Sequence, residues 1–361
     1  MDTDGIHPSG EELNNWLQRG EWGKIKSYLA VLSHNQYHAM IWLAKGLLQA
    51  YGPAADRNPE QAVLCLEKAC EMAPEEIRYL NTLSEVLLQS GATERALEVA
   101  KTAGRLFPNN SLAAIARGRA ALACGDKQEA YQGFQSALDQ MPEDSPVKRQ
   151  IHTIAFGLAP FWWQDLVGKN VRLVRMNRSH KEFLLSCRND NTFRHHYNLF
   201  QKASPELVEK DLKRAEKSPA ETNKIEWVVE KDGRAIGLAA LVDLNLKNSR
   251  AEILVGFPGQ TSGLVSVEAT LLVLEYAFSV LGLCKVYSYV YSDNPNGQRN
   301  TEHLGFEREG LLRSHVFDPE SEARLDLNVN ACFPDLFFKN TRLMKMAARL
   351  LGRIPEPGTL R

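Results

Sequence analysis

Three prolines stand at equal steps along the first half of the chain: Pro74, Pro108 and Pro142 are each 34 residues apart. Within the step ending at Pro108 the small and apolar positions are Leu80, Leu83, Leu87, Gly91, Ala96, Ala100 and Ala103. In the next step Gly118, Gly125, Ala130, Phe134 and Ala137 take matching or neighbouring places. A period of this length is one supersecondary unit repeated. Such a unit cannot bury its apolar face alone and must stack on its neighbours. Apolar positions three and four apart make the parts helices. The small residues let paired helices approach closely, and the proline follows the second helix. The step ending at Pro74 fits with Trp42, Gly46, Ala62 and Ala69, once about four extra residues are allowed in its turn, between Tyr51 and Pro59. Glu11 to Gln36 reads as a degenerate first pair, and Pro146 to about Phe156 as a capping helix.

This pattern resembles tetratricopeptide (TPR) repeats. The resemblance implies an all-α solenoid over residues 1–158 whose concave face takes an extended peptide or a partner protein. Gly157 and Pro160 break the helix, and residues 159–170 form a junction in which Phe161, Trp162 and Trp163 make an aromatic cluster. The cluster suits the core of a neighbouring domain, or else a patch for a partner.

The second half changes period. Val171 to Met176 alternates as a strand. Ser179 to Asp190 reads as a helix with a Ser179–Glu182 capping box. Asn191 to Phe200 reads as a polar loop, and Ser204 to Glu216 as a second helix. Lys224 to Glu230 and Ala235 to Asn245 are strands joined by a tight turn. Arg250 to Phe257 and Lys285 to Tyr291 are strands on either side of an apolar helix, Leu264 to Leu281. Asn296 to Leu304 is a short helix. Strands near Arg308 to Val316 and Ala323 to Asn330 follow, then a basic amphipathic helix from Phe333 to Leu351 and a tail, 353–361.

Between the strand opening at Ala251 and its following helix lies a turn rich in small residues: Pro258, Gly259, Ser262 and Gly263. Such a turn exposes unpaired N–H groups at the positive end of a helix, a ready seat for phosphate. Further on, Asn294 and then Leu304-Gly305-Phe306 stand at a fixed distance. Together these resemble the GCN5-related N-acetyltransferase (GNAT) family over roughly Val171 to Leu351. The resemblance implies an α+β domain, 171–352, with a mixed, mostly antiparallel sheet. It also implies acetyl-CoA as acyl-donor cosubstrate and no metal. The family's acetyl-CoA motif would be Gln260-Thr261-Ser262-Gly263-Leu264-Val265, with Val265 in place of a small residue. A register shifted by one would put Ser262 and Leu264 at the glycine positions. Arg188-Asn-Asp190, Trp227, Gly237 and Ala251-Glu252-Ile253 look like the branch holding ribosomal-protein N-terminal acetyltransferases and amino-sugar acetyltransferases.

Carried onto this chain, the resemblance implies Glu252 as general base. As a plain strand residue, Glu252 would instead face solvent or pair with Arg250 or Arg175. Leu254, Val255 and Gly256 would line the cofactor with Asn294, a backbone N–H near Val255 or Gly256 holding the oxyanion. The slot where many relatives carry a proton-donating tyrosine is Thr301, with Tyr291 and Tyr289 as substitutes. His195, His196, Tyr289 and Asp326 would line the acceptor pocket. His34 and His38 share a helix face but have no evident third ligand.

Composition narrows the partners. A formal net charge of −1 and the lack of a polybasic run give no nucleic-acid or lipid signature. The six cysteines form no C-x-x-C pair, which fits a reducing cytoplasm. The polar, acidic start is unlike a signal peptide. The longest apolar stretch, 263–284, carries two glutamates and reads as a buried helix, so no membrane span is expected. The expected function is acetylation of a primary amine of a protein or peptide recruited by the repeats. The alternatives are acetylation of a nucleotide-linked amino sugar, or a scaffold whose transferase module has decayed.

Overall fold

A computed structural model describes residues 8–32, 38–197, 204–259, 263–318 and 322–358. The chain divides into two compact units, residues 1–159 and 160–361.

The first unit is helical. Its elements are α1 (Gly10–Arg19), α2 (Trp22–Val31), α3 (Ala39–Tyr51), α4 (Pro59–Met72), α5 (Ile77–Gln89), α6 (Thr93–Leu106), α7 (Ser111–Ala123), α8 (Lys127–Gln140) and α9 (Lys148–Leu158). The 34-residue period is visible in the element starts: α4, α6 and α8 begin at 59, 93 and 127, and α5 and α7 at 77 and 111. The step from α3 to α5 is 38, which places the four extra residues in the turn before α4. Side chains cap several of these helices: Asn58, Asn110 and Asp126 each accept from a first-turn amide, while Ala92, one period after Asn58, makes no such bond. The small residues do the work expected of them. A Cβ on Gly133 would come within 2.7 Å of the Gly118 backbone, and one on Gly118 within 2.9 Å of Phe134. The cluster between the helices is built on Ile25, Leu43, Leu66, Leu87 and Phe134, all buried.

The second unit holds an eight-stranded sheet in the order β1-β2-β3-β4-β5-β6-β8-β7. The strands are β1 (Leu166–Val167), β2 (Arg172–Arg175), β3 (Ile225–Lys231), β4 (Arg234–Asn245), β5 (Arg250–Gly256), β6 (Lys285–Tyr291), β7 (Glu307–Asp318) and β8 (Ala323–Cys332). Among the described residues only β5 and β6 pair in parallel; the sheet is mixed and mostly antiparallel. The helices are α10 (Lys181–Asn189), α11 (Asn191–His196), α12 (Pro205–Ala215), α13 (Pro219–Thr222), α14 (Gly263–Glu275), α15 (Pro295–His303), α16 (Pro334–Phe338) and α17 (Thr341–Leu350). Helix α14 runs into a π-turn, Tyr276–Val280. Together they are long and apolar enough to cross a bilayer, but 61% of that stretch is buried inside the unit.

Four local expectations are corrected. The cap of the first helix is Asn177, not Ser179: its side chain accepts from the Ser179 amide and opens a 3-10 turn before α10. Residues 191–196 are helical because Asp190 caps them, accepting from Phe193 N–H at 2.9 Å while Phe193 is buried. The C-terminal helix is two helices, divided where Asn340 caps α17. The junction contributes a strand, β1, too short to leave a periodic signature.

The junction aromatics belong to the second unit. Trp162 is buried, Phe161 packs on it at 4.6 Å, and the Tyr276 hydroxyl donates to Phe161 O at 2.8 Å. The Arg175 guanidinium lies 5.3 Å over the Trp163 ring. Glu268 of α14 is fully buried, and its carboxylate accepts from Asn170 N (2.8 Å), Asn170 Nδ2 (2.8 Å) and Val171 N (3.3 Å). From the C-terminal side Arg353 bonds Glu275, and Ser279 Oγ donates to Glu356 O. Helix α14 is thereby tied at several points along its length.

Candidate active site

The site is a fork in the sheet. Parallel pairing joins Arg250, Ala251 and Glu252 to Lys285, Val286 and Tyr287 and then ceases. Both strands continue: β5 stays on β4 to Gly256, and β6 stays on β8 to Tyr291. Each therefore presents a backbone edge to the gap, and such an edge seeks hydrogen-bond partners. A bulge in β4 opposite Glu252, where Asp243 takes φ 46°, adds twist at the vertex.

Alternation along β5 sends Ala251 and Ile253 into the core and leaves Glu252 and Leu254 on the opposite face. Leu254 packs there beside Tyr197 and Met176. Glu252 stands at the vertex, level with Tyr287. Its Oε1 is buried and has no hydrogen-bond partner among the described residues. Burial, and then the neighbouring charge of Asp243, push its carboxyl up to about 7. Arg250 does not relieve it, because that guanidinium pairs with Asp243 at 3.1 Å and covers the Tyr287 ring at 5.4 Å. Tyr287 donates its hydroxyl to Asp243.

Beyond the vertex, Leu254 and Val255 on one side and Tyr289 and Tyr291 on the other line the cleft. Helix α15 supplies Asn294, Gly297 and Thr301. Asn294 caps that helix, its Oδ1 accepting from Gly297 N–H at 2.8 Å. Thr301 donates its hydroxyl to Gly297 O at 2.9 Å, so that proton is committed within the helix. Burial, with the charges of Asp293, Glu252 and Asp318, pushes the Tyr291 phenol upward. The cleft runs on past His196, Tyr197 and Asn294 to a second hollow lined by Gly256 and Gly259. A Cβ on Gly256 would lie 2.6 Å from the Tyr197 ring, so glycine lets the aromatic end of α11 close down there.

His195 lies 5.2 Å from the Tyr291 ring, with Nε2 3.2 Å from Asp293 and Nδ1 4.0 Å from Asp318. Asp326 is not among the cleft residues: its carboxylate accepts from Ser314 N–H at 2.7 Å in the β7–β8 hairpin. Gln260, Thr261, Ser262 and His34 lie outside the described residues. Gly263 opens α14, and a Cβ there would meet nothing within 4 Å. Leu264 is half exposed, and Val265 is buried in the core.

Sequence reasoning passed over Asp243, Tyr287, Tyr197, Asp293 and Asp318. An acid inside the otherwise apolar run of β4 was the available signal for Asp243. The others depend on strand register and loop closure, which a sequence does not display.

The site suits acetyl-CoA. The backbone edges of the fork offer main-chain hydrogen bonds to a narrow acyl-thioester arm, and Glu252, whose Oε1 has no partner among the described residues, suits the amine that would attack it.

Residues 170–307 match the family model described as an acetyltransferase (GNAT) domain. Over 93 residues the chain is 38% identical to the spermidine N(1)-acetyltransferase of Escherichia coli (strain K12), covering 25% of this chain and 50% of that protein. The chain thus spans about half the length of the first curated relatives it matches. It is 27% identical over 141 residues to the uncharacterized N-acetyltransferase YoaA of Bacillus subtilis (strain 168), covering 38% of this chain and 78% of that one. Among solved structures, the spermidine N-acetyltransferase of Vibrio cholerae in complex with CoA and spermine is 20% identical, with a TM-score of 0.41 over 46% of this chain and 98% of that one. The second unit therefore carries a GNAT acetyltransferase domain.

Proposed function

We propose that this chain transfers an acetyl group from acetyl-CoA to a cationic primary amine. The observation that carries the reading is Glu252, a carboxyl whose buried oxygen has no partner among the described residues, at the vertex of a forked sheet. Bound acetyl-CoA would supply an activated thioester carbonyl. The β5 edge beyond Glu252 offers backbone N–H groups to the carbonyl oxygen as negative charge develops there. Glu252 accepts a proton from the attacking amine, directly or through one water. A carboxyl held near 7 is a stronger base than an ordinary one and is still substantially ionised at neutral pH. With Thr301 committed to Gly297 O, the phenol of Tyr291 is the donor for the departing thiolate.

The acceptor's charge follows from the surroundings. Asp293, Glu252 and Asp318 all act on Tyr291, while at Tyr289 Arg250 offsets Asp243, so the acidic excess lies on the Tyr291 side. Such a lining favours an ammonium and disfavours the diphosphate of a nucleotide-linked sugar. Polyamines are the first class to test, because relatives bear the name spermidine N(1)-acetyltransferase. A protein amine is the second reading, favoured by the 34-residue helical repeat, whose resemblance to TPR units suits it to recruit a peptide. A decayed scaffold is the reading that Thr301 and the altered loop favour.

The test is a thermal-shift titration with acetyl-CoA, with ATP as control, followed by turnover assays on spermidine and on basic peptides. A ligand at a hundred times its dissociation constant adds about 2.7 kcal/mol, which is readily seen. A shift with acetyl-CoA and turnover of one amine class establishes the reaction. No shift at millimolar acetyl-CoA leaves the scaffold reading.

A further inference from the structure

We propose that His195, His196 and Asp293 form a binding site for a divalent cation of the zinc class, at the mouth of the cleft. The three residues come from two elements: the histidines end α11, and Asp293 sits in the turn between β6 and α15. One nitrogen from each imidazole and one carboxylate oxygen all lie within 4.8 Å of one another. Tetrahedral zinc with bonds near 2.0–2.1 Å holds its donor atoms about 3.4 Å apart. His195 Nε2 and Asp293 Oδ2 are already at 3.2 Å. Side-chain rotation of His196 closes the remainder, since that ring is exposed.

An ordinary histidine–aspartate ion pair accounts for one of these contacts. It does not account for the second imidazole, whose ring centroid is 5.1 Å from the first. Nor does it account for what lies behind His195. Its other nitrogen, Nδ1, faces Asp318 at 4.0 Å, and Asp318 is buried to 7% exposure. The ring also rests against Tyr291 at 5.2 Å. At 4.0 Å this is an ion-pair separation, longer than a hydrogen bond, and a small turn of the ring onto a cation would bring Nδ1–H within reach of the kind of carboxylate that orients metal-binding imidazoles. Two imidazoles and one carboxylate select zinc, cobalt, nickel or copper over magnesium or calcium, which prefer all-oxygen sets. The exposed side of the cluster leaves room for water to complete the coordination.

A cation held there would tie α11 to the turn after β6. It would also place positive charge beside the acids that favour an ammonium acceptor. Binding itself does not depend on the transferase reading, and it is measured without turnover. The full-length protein is stripped with chelator and titrated with zinc chloride by calorimetry, and bound metal is counted. One zinc per chain at micromolar concentration is expected, with a raised melting temperature. His196→Ala and Asp293→Asn should each weaken binding at least tenfold, and Asp318→Asn about tenfold through the orientation of His195. Replacing the exposed Cys124 and Cys284 with serine should change nothing. Millimolar magnesium should not compete. Asp293→Asn conserves shape, so it reports even where His196→Ala fails to fold. No zinc bound at millimolar concentration, or wild-type affinity in the Asp293→Asn protein, overturns the site.

Discussion

Glu252 couples the proposed chemistry to stability. Its carboxyl titrates near 7 in the folded chain against 4.5 ordinarily, so the folded state holds the proton more tightly than the unfolded state. Below pH 4.5 both states are protonated and the group costs nothing. Between 4.5 and 7 the unfolded state ionises first, and stability falls as pH rises. Above 7 the whole penalty is present, roughly 3 kcal/mol at about 1.4 kcal/mol per unit. Glu252→Gln should therefore be more stable than wild type at pH 8 by up to that amount, with the gap closing near pH 4.5, while turnover falls at least a hundredfold. Urea unfolding at both pH values checks the first claim; a constant gap removes burial of the charge as its cause. Wild-type kcat/KM should rise with pH through about 7 as the base ionises. For the acid, Tyr291→Phe should lower kcat about 10- to 100-fold and Thr301→Val less than threefold; the reverse order would restore Thr301 as donor. The family resemblance pointed to Glu252, Tyr291 and Asn294, and their roles stand as proposals, the first two for the variants above to test. Asp243 was hidden, because its effect on Glu252 arises from a bulge that only the register reveals.

At the scale of the element, α14 is the part that the proposed cofactor and the fold share. Its apolar run marks it as buried, and eight of its residues are. The exception is Glu268, an acid that sequence reading passes over as a break in that run. Its three N–H donors come from residues some 97 positions away, a closure that no local pattern predicts. Glu268→Ala should cost about 3 kcal/mol or more, because it leaves the Asn170 and Val171 amides unsatisfied. Chemical denaturation reads this directly; a loss under 1 kcal/mol would mean water replaces the carboxylate. Gly263 separates ligand approach from folding. Gly263→Ala should melt like wild type, since its Cβ meets nothing within 4 Å among the described residues, and Gly263→Arg should abolish the acetyl-CoA shift while remaining folded. Normal cofactor binding by the arginine variant would place the phosphates elsewhere.

At the scale of the molecule, the 34-residue period was legible as helix positions because repetition leaves a long-range signature in one dimension. The sheet order was legible only as far as strand existence and sequence order allow. The fork, by contrast, depends on where pairing stops. The limits of the second unit were the least legible: the family match begins at residue 170, while the structural division falls after Ala159. The ten residues between carry Trp162, the Phe161 carbonyl that receives Tyr276, and β1. A fragment of residues 160–361 should unfold cooperatively and keep its response to acetyl-CoA. One of residues 171–361 should lose about 4 kcal/mol or more, the cost of removing a buried tryptophan alone. Equal melting of the two fragments would show the aromatic segment to be dispensable.

That ownership of the aromatic segment sets the rule for transplanting these parts. A donor helical module spliced in ahead of Pro160 would keep Trp162, the Phe161 carbonyl and β1 with α14, so the helical unit could be exchanged without removing those parts of the transferase core. The same splice made ten residues later would discard the keystone along with the linker.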